Sequence, residues 1–123
     1  GEALEVRQTG NAESFVADQL ESSLAGYSDW DALIVAYEPV WAIGTGEAAT
    51  SDQAQEMTAV CRGVIQNLAA GAADSVRVLY GGSVNSGNIA ELLEQSDIDG
   101  ALVGKVSLQA DEFSRLIAAA GTV

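Results

Sequence analysis

The 123-residue sequence predicts an α/β chain in which helices pack against a parallel sheet. Three observations carry this. Short, nearly continuous apolar runs stand at Leu33-Ile34-Val35-Ala36-Tyr37, Val76-Arg77-Val78-Leu79-Tyr80 and Gly100-Ala101-Leu102-Val103, the pattern of parallel strands buried beneath helices. Longer stretches place apolar residues three and four apart, the spacing of amphipathic helices. Glycines mark the loop after every strand, at Gly44 and Gly46, at Gly81 and Gly82, and at Gly104.

Each element has a local reason. Asn11 stands at an N-cap position, and Phe15, Val16, Leu20 and Leu24 follow at near-helical spacing as far as Gly26. The Leu33–Tyr37 strand comes next. Ser51 or Asp52 is the expected cap of a second helix, along which Ala54, Met57, Cys61, Val64, Ile65 and Leu68 recur until Gly71 ends it. After the Val76–Tyr80 strand, residues 88–94 read as a short helix with Ile89, Leu92 and Leu93 inward. After Gly100–Val103, residues 112–119 form the last helix, with Phe113, Leu116 and Ile117 expected to pack. The pattern is one helix followed by three strand–helix units. Three strands cannot close a (β/α)8 barrel, which needs eight strands and about 250 residues. An open sheet of three short strands has unpaired edges, so the expectation is a compact half or a part of something longer. No linker or low-complexity segment divides the sequence, and residues 1–123 are taken as belonging to a single domain.

Eighteen acidic residues against 5 basic ones give a formal net charge of −13. Such a surface repels nucleic acid and anionic membranes, so neither is an expected partner. Glu2, Glu5, Asp18, Glu21, Glu56, Glu91, Glu112 and the other scattered acids are expected on solvated outer faces. The longest apolar stretches are strand-like and too short to span a membrane. No basic, apolar leader opens the sequence and its single cysteine argues against a disulfide-stapled secreted fold, so the expected location is cytoplasmic. Histidine is absent, which removes Ser/His/Asp and Cys/His catalysis and His-ligated metal sites from this chain. No metal site is expected. Cys61 lies on an apolar helical stripe and reads as a small core residue.

Residues of unusual chemistry gather where strands end: Glu38 after the first, Tyr80-Gly81-Gly82-Ser83 after the second, and Gly104-Lys105 after the third. Parallel α/β proteins build their sites at the carboxyl ends of strands, so these loops share one mouth. Glu38 is the candidate base. Pro39 fixes φ and forces an extended exit, which holds Glu38 on a defined path. Val40, Trp41, Ala42 and Ile43 are too apolar for an ordinary exposed loop. With the glycines behind them, they make a lid that can exclude water from a reactive intermediate. Glycine loops let backbone N–H groups approach an anion closely, so a phosphate cradle is expected. Lys105, the one lysine in the sequence, sits beside that cradle or serves only as a solubilising surface charge. Two other motifs carry nothing. Asp97-Ile98-Asp99-Gly100 lacks the later ligands of a calcium loop, and no ribose-binding acid completes a dinucleotide fingerprint at Gly44-Thr45-Gly46.

Residues 36–46, Leu79-Tyr80-Gly81-Gly82-Ser83-Val84 and residues 97–104 resemble, in order and spacing, the three carboxyl-half motifs of the triosephosphate isomerase family. Gly1-Glu2-Ala3-Leu4-Glu5 is similar to the stretch that follows that family's fifth strand. The resemblance implies a partial TIM (β/α)8 barrel: the last three strand–helix units plus the preceding helix. It also implies a cofactor-free interconversion of dihydroxyacetone phosphate and D-glyceraldehyde 3-phosphate through an enediolate. The family is itself a well-known example of a glutamate base working under a closing loop. By the same resemblance, Glu38 is the catalytic base. Gly44, Ser83, Gly104 and Lys105 offer backbone N–H groups to the substrate phosphate. Ile43 and Leu102 clamp Glu38 in apolar surroundings, Tyr80 and Ser83 hydrogen-bond the closed lid, and Trp41, following Pro39, moves with the lid and pairs with Glu2.

Lys105 stands where the family commonly has glycine, and Glu47 where a lysine commonly ends the lid. The asparagine–lysine pair of the family's first strand and the histidine of its fourth have no counterpart here. The resemblance therefore implies a carboxyl-terminal half that needs an amino-terminal half as partner, is inactive alone, and forms a homodimer when whole. The competing reading is a non-catalytic half-barrel that binds phosphate or self-associates.

Overall fold

The computed structural model describes residues 1–45 and 47–123; Gly46, counted above among the loop glycines, lies outside them. Among the described residues, five α-helices and three strands follow one another as α1 (Leu4–Gln8), α2 (Ala12–Ser23), β1 (Ile34–Tyr37), α3 (Ser51–Leu68), β2 (Arg77–Tyr80), α4 (Ile89–Leu93), β3 (Gly100–Ala101) and α5 (Ala110–Ala120). The sheet is parallel and its order is sequential, β1-β2-β3. Ile34 to Tyr37 lie beside Arg77 to Tyr80, and Leu79 and Tyr80 beside Gly100 and Ala101.

Successive side chains of a strand point to opposite faces. On one face Val35, Tyr37, Val78 and Tyr80 are buried. They share a single cluster with Val16 of α2, Met57, Cys61 and Ile65 of α3, Ile89 and Leu92 of α4, and Leu116 of α5. On the other face Ile34 is 55% exposed, Ala36 and Arg77 are also exposed, and Leu79 is half-buried. The helices expected around the sheet thus cover one face of it. Sequential strand order explains this: parallel crossovers are right-handed, so each returns its helix to the same side. The order never reverses, which is what would put helices on both faces.

Local differences from the sequence reading have local causes. Thr50, rather than Ser51 or Asp52, caps α3: Gln53 N–H donates to Thr50 Oγ1 at 3.2 Å and Thr50 N–H to Gln53 Oε1 at 3.0 Å. This reciprocal box is worth about 1 kcal/mol. Asn11 occupies the N-cap of α2, but its amide donates to Thr9 Oγ1 at 3.0 Å and makes no cap. The third strand stops at Ala101; the Leu102 amide still reaches Tyr80 O at 2.9 Å before the chain turns away. Ile117, expected to pack, is exposed because its neighbour Leu116 takes the inward position on α5. Cys61 is a core residue as expected, and burial pushes its thiol up to about 11. Among the described residues no helix is long and apolar enough to cross a membrane.

The amino ends of β2 and β3 are tied to α3 by Arg62. Its Nε donates to Asp97 Oδ1 at 2.8 Å, Nη2 to Asp99 Oδ2 at 2.7 Å and Nη1 to Ala73 O at 2.7 Å. Asp99 Oδ2 also accepts the Val78 amide at 2.7 Å. The segment that fails as a calcium loop therefore serves as an arginine clamp at the end of the sheet opposite Glu38. Arg62→Ala leaves two carboxylates and the carbonyls of Ala73, Val76 and Asp97 without this partner and is expected to cost about 2–3 kcal/mol. The check is a lower urea midpoint at an unchanged m value.

Candidate active site

Glu38 is the first residue beyond the carboxyl end of β1. It keeps the strand's alternation, so it shares the open face with Ile34 and Ala36. Pro39 is buried with φ of −67° and leads into a single 3-10 turn, Val40–Ala42, closed by the Ala42 amide on Pro39 O at 2.8 Å. Gly44 has φ of +70°, a left-handed conformation that favours glycine at this bend of the lid.

The three strand-end loops surround one cavity of about 610 Å³. Glu38, Ile43 and Gly44 line it from the first loop, Ser83 from the second, and Leu102, Gly104 and Lys105 from the third. Gly81 makes room for the carboxylate: a Cβ there would stand 2.7 Å from Glu38 Cγ. Lys105 opens a 3-10 turn, Lys105–Leu108. No described residue other than glycine has a positive φ, so the side chain at 105 sits on unstrained backbone. Among the described residues no cluster of His, Cys, Asp and Glu could hold a metal ion.

Pro39, Trp41 and Tyr80 lie outside the cavity wall. Trp41 anchors the lid's first turn from below. Its indole N–H donates to Glu2 Oε1 at 2.9 Å, and the Arg7 guanidinium stands 5.1 Å from its ring centre. Glu2 is a correction to the reading of scattered surface acids, because its side chain is 0% exposed. It accepts Tyr37 O–H at 3.1 and 3.0 Å and Arg7 Nη1 at 3.1 Å besides the indole. A buried carboxylate persists when charge and donors surround it in this way. Burial, and after it the Glu2 charge, pushes the Tyr37 phenol far up, so it remains a donor.

The lid is open. Glu38 and Ile43 are exposed, so the apolar enclosure expected from Ile43 and Leu102 is not made in this structure. The lid hydrogen bonds expected of Tyr80 and Ser83 are correspondingly slack. The Tyr80 hydroxyl is buried and has no partner among the described residues, and Ser83 Oγ reaches Ala42 O only at 3.5 Å.

A carboxylate, glycine loops and one lysine gathered at the carboxyl ends of sequential parallel strands define the class: an α/β protein with a strand-end site. The family model described as triosephosphate isomerase matches residues 1–120. The chain belongs to the triosephosphate isomerase family. It is 52% identical over 123 residues to a triosephosphate isomerase of Rhodococcus jostii, covering 98% of this chain and 47% of the relative. Against that of Lactiplantibacillus plantarum it is 50% identical over 120 residues, 95% of this chain and 48% of the relative. A Chlorobium phaeovibrioides relative is 47% identical over 121 residues, again 98% and 48%. The chain spans about half the length of the curated relatives it matches.

Trp41→Phe removes one donor from the buried Glu2 carboxylate and keeps an aromatic, though smaller, ring beside Arg7. It is expected to cost about 1–3 kcal/mol in urea unfolding. Val40→Ala, at an exposed neighbour in the same turn, is expected to stay within about 0.5 kcal/mol.

Proposed function

We propose that residues 1–123 are the carboxyl-terminal half of a single (β/α)8-barrel domain and carry half the active site of a triosephosphate isomerase. The reaction is the interconversion of dihydroxyacetone phosphate and D-glyceraldehyde 3-phosphate, a step of glycolysis and gluconeogenesis. The observation that carries this reading is the convergence of Glu38, Gly44, Ser83, Gly104 and Lys105 on one cavity. Two further features support it. Helices on only one side of a sequential parallel sheet are what an arc of a barrel presents, and the bare face with Ile34, Ala36 and Leu79 is what its interior requires.

In this mechanism the Glu38 carboxylate takes a proton from the substrate carbon beside the carbonyl and returns it to the neighbouring carbon, passing through an enediolate. Backbone N–H groups of Gly44, Ser83, Gly104 and Lys105 hold the phosphate at the mouth, which fixes the reacting carbons within reach of Glu38. Closure of residues 40–45 brings Ile43 over the carboxylate opposite Leu102, takes up the free Tyr80 hydroxyl and shortens the Ser83 contact. That closure keeps the enediolate from water and from loss of its phosphate. No cofactor is needed, because the chemistry is proton transfer alone: one proton moves between the two carbons through Glu38, and one moves between their two oxygens, a transfer assigned to the electrophilic groups of the amino-terminal half.

Charge stabilisation of the enediolate oxygens is assigned to an asparagine–lysine pair and a histidine in an amino-terminal half. Losing donors of this kind costs about 10²–10³ in rate for each one removed, so this half alone is inactive. The whole protein is proposed to be a cytoplasmic homodimer whose main contacts lie in the other half. The bare sheet face also suits self-association of a non-catalytic half-barrel, which is the reading that an inactive assembled protein would favour.

The test joins this chain behind the amino-terminal half of the Rhodococcus jostii relative. Isomerase activity is expected, and Glu38→Gln is expected to lower kcat by about 10²–10⁴ with little change in KM. Activity that survives the substitution removes Glu38 from the role of base.

A further inference from the structure

Glu112 is the third residue of α5. A glutamate at that position ordinarily turns back to the N-cap amide of its own helix. This one reaches across to the loop after β2, where Oε1 accepts the Ser86 N–H at 2.9 Å over a separation of 26 residues. Its other oxygen is gripped by Arg115, through Nε at 3.1 Å and Nη2 at 2.9 Å.

One side chain thus joins two walls of the cavity. Ser83, Val84 and Asn85 belong to the loop it holds, and Gly104, Lys105 and Val106 to the segment that leads into its own helix. Within the loop, the Asn85 amide donates to Asn88 Oδ1 at 2.9 Å, the Gly87 amide to Asn85 Oδ1 at 2.8 Å and Asn88 Nδ2 to Ser83 O at 2.9 Å. Those bonds shape the loop; the bond to Glu112 ties it to the helix that follows the third strand's wall. The Ser86 amide, and after it Arg115, hold the Glu112 carboxyl down at about 2. A carboxylate so neutralised is tolerable beside a mouth that takes an anion.

We infer that Glu112 is a positioning residue that fixes the separation of the Ser83 and Gly104–Lys105 amides and thereby the affinity of the mouth for a phosphate group. This deepens the proposed isomerase site and rests on it. The two sets of amides come from different loops, and a tetrahedral anion is gripped by both only when their spacing is held.

The experiment uses the same joined protein with Glu112→Ala and Glu112→Gln, read by kinetics, by inhibition with inorganic phosphate and by hydrogen exchange at the Ser86 amide. Glu112→Ala is expected to raise KM and the phosphate inhibition constant by about tenfold, with kcat within about twofold and Ser86 exchange accelerated. Glu112→Gln keeps an oxygen for the Ser86 amide and is expected to recover most of each change. An active parent whose KM and phosphate inhibition ignore Glu112→Ala overturns the inference, even if Ser86 exchange quickens. A kcat loss that Glu112→Gln does not rescue, at unchanged KM, overturns it as well. A parent with neither isomerase activity nor phosphate inhibition overturns the proposed function itself, and the inference with it.

Discussion

Everything in this molecule follows from three parallel strands paired in the order in which they occur. A right-handed crossover between neighbours leaves no choice about where the next helix goes, so α3, α4 and α5 all fall on one side. The core is therefore built against Val35, Tyr37, Val78 and Tyr80, and the alternate residues of the same strands are left facing outward. The same parity carries Glu38 onto the open side one residue past the strand. The exposure of Glu38 and the bare face are one geometric fact.

Two carboxylates show how differently the fold treats one side-chain type. Glu38 stands in an open mouth, free to meet a ligand, with Gly81 cut back to make room. Glu2 lies directly behind the lid's first turn with four hydrogen bonds from Tyr37, Arg7 and Trp41. The buried one is structural: it holds the Val40–Ala42 turn through the Trp41 indole while Ile43 and Gly44 beyond it remain exposed. A lid needs such an anchor, since a segment loose at both ends closes at a larger entropic cost. At the opposite end of the sheet, Arg62 does comparable work on Asp97 and Asp99, far from any chemistry.

Much of this was legible in the sequence because it depends on local pattern. Apolar runs and three-and-four spacing locate the strands and the long helices, and the clustering of Glu38, Gly81 and Lys105 at strand ends follows from parallel architecture alone. What the pattern hides is tertiary. Glu2 looks like one more acid in a chain of net charge −13, and only the donors assembled from α1, β1 and the lid make its burial possible. Thr50 stands one and two residues before the equally good caps Ser51 and Asp52, and the glutamine three positions on decides among them. Ile117 has a core residue's chemistry on the wrong side of α5. Glu112 occupies a routine capping position, and nothing in sequence indicates that it bonds 26 residues back. The one-sided covering of the sheet is also invisible to periodicity, because a strand buried by helices and one buried inside a barrel are equally apolar.

Under the proposed reading, the exposed face of Ile34, Ala36 and Leu79 is an interior waiting for the rest of a barrel. Sequencing the coding DNA upstream of the Gly1 codon examines that point without any assumption about folding. A continuous open reading frame of roughly the same length again is expected, about half of a 250-residue barrel. It should encode further strand–helix units with a lysine at the end of the first strand and a histidine at the end of the fourth. An in-frame stop followed by a start codon directly before the Gly1 codon would contradict this, leaving a free-standing half-barrel whose bare face must be covered by something else.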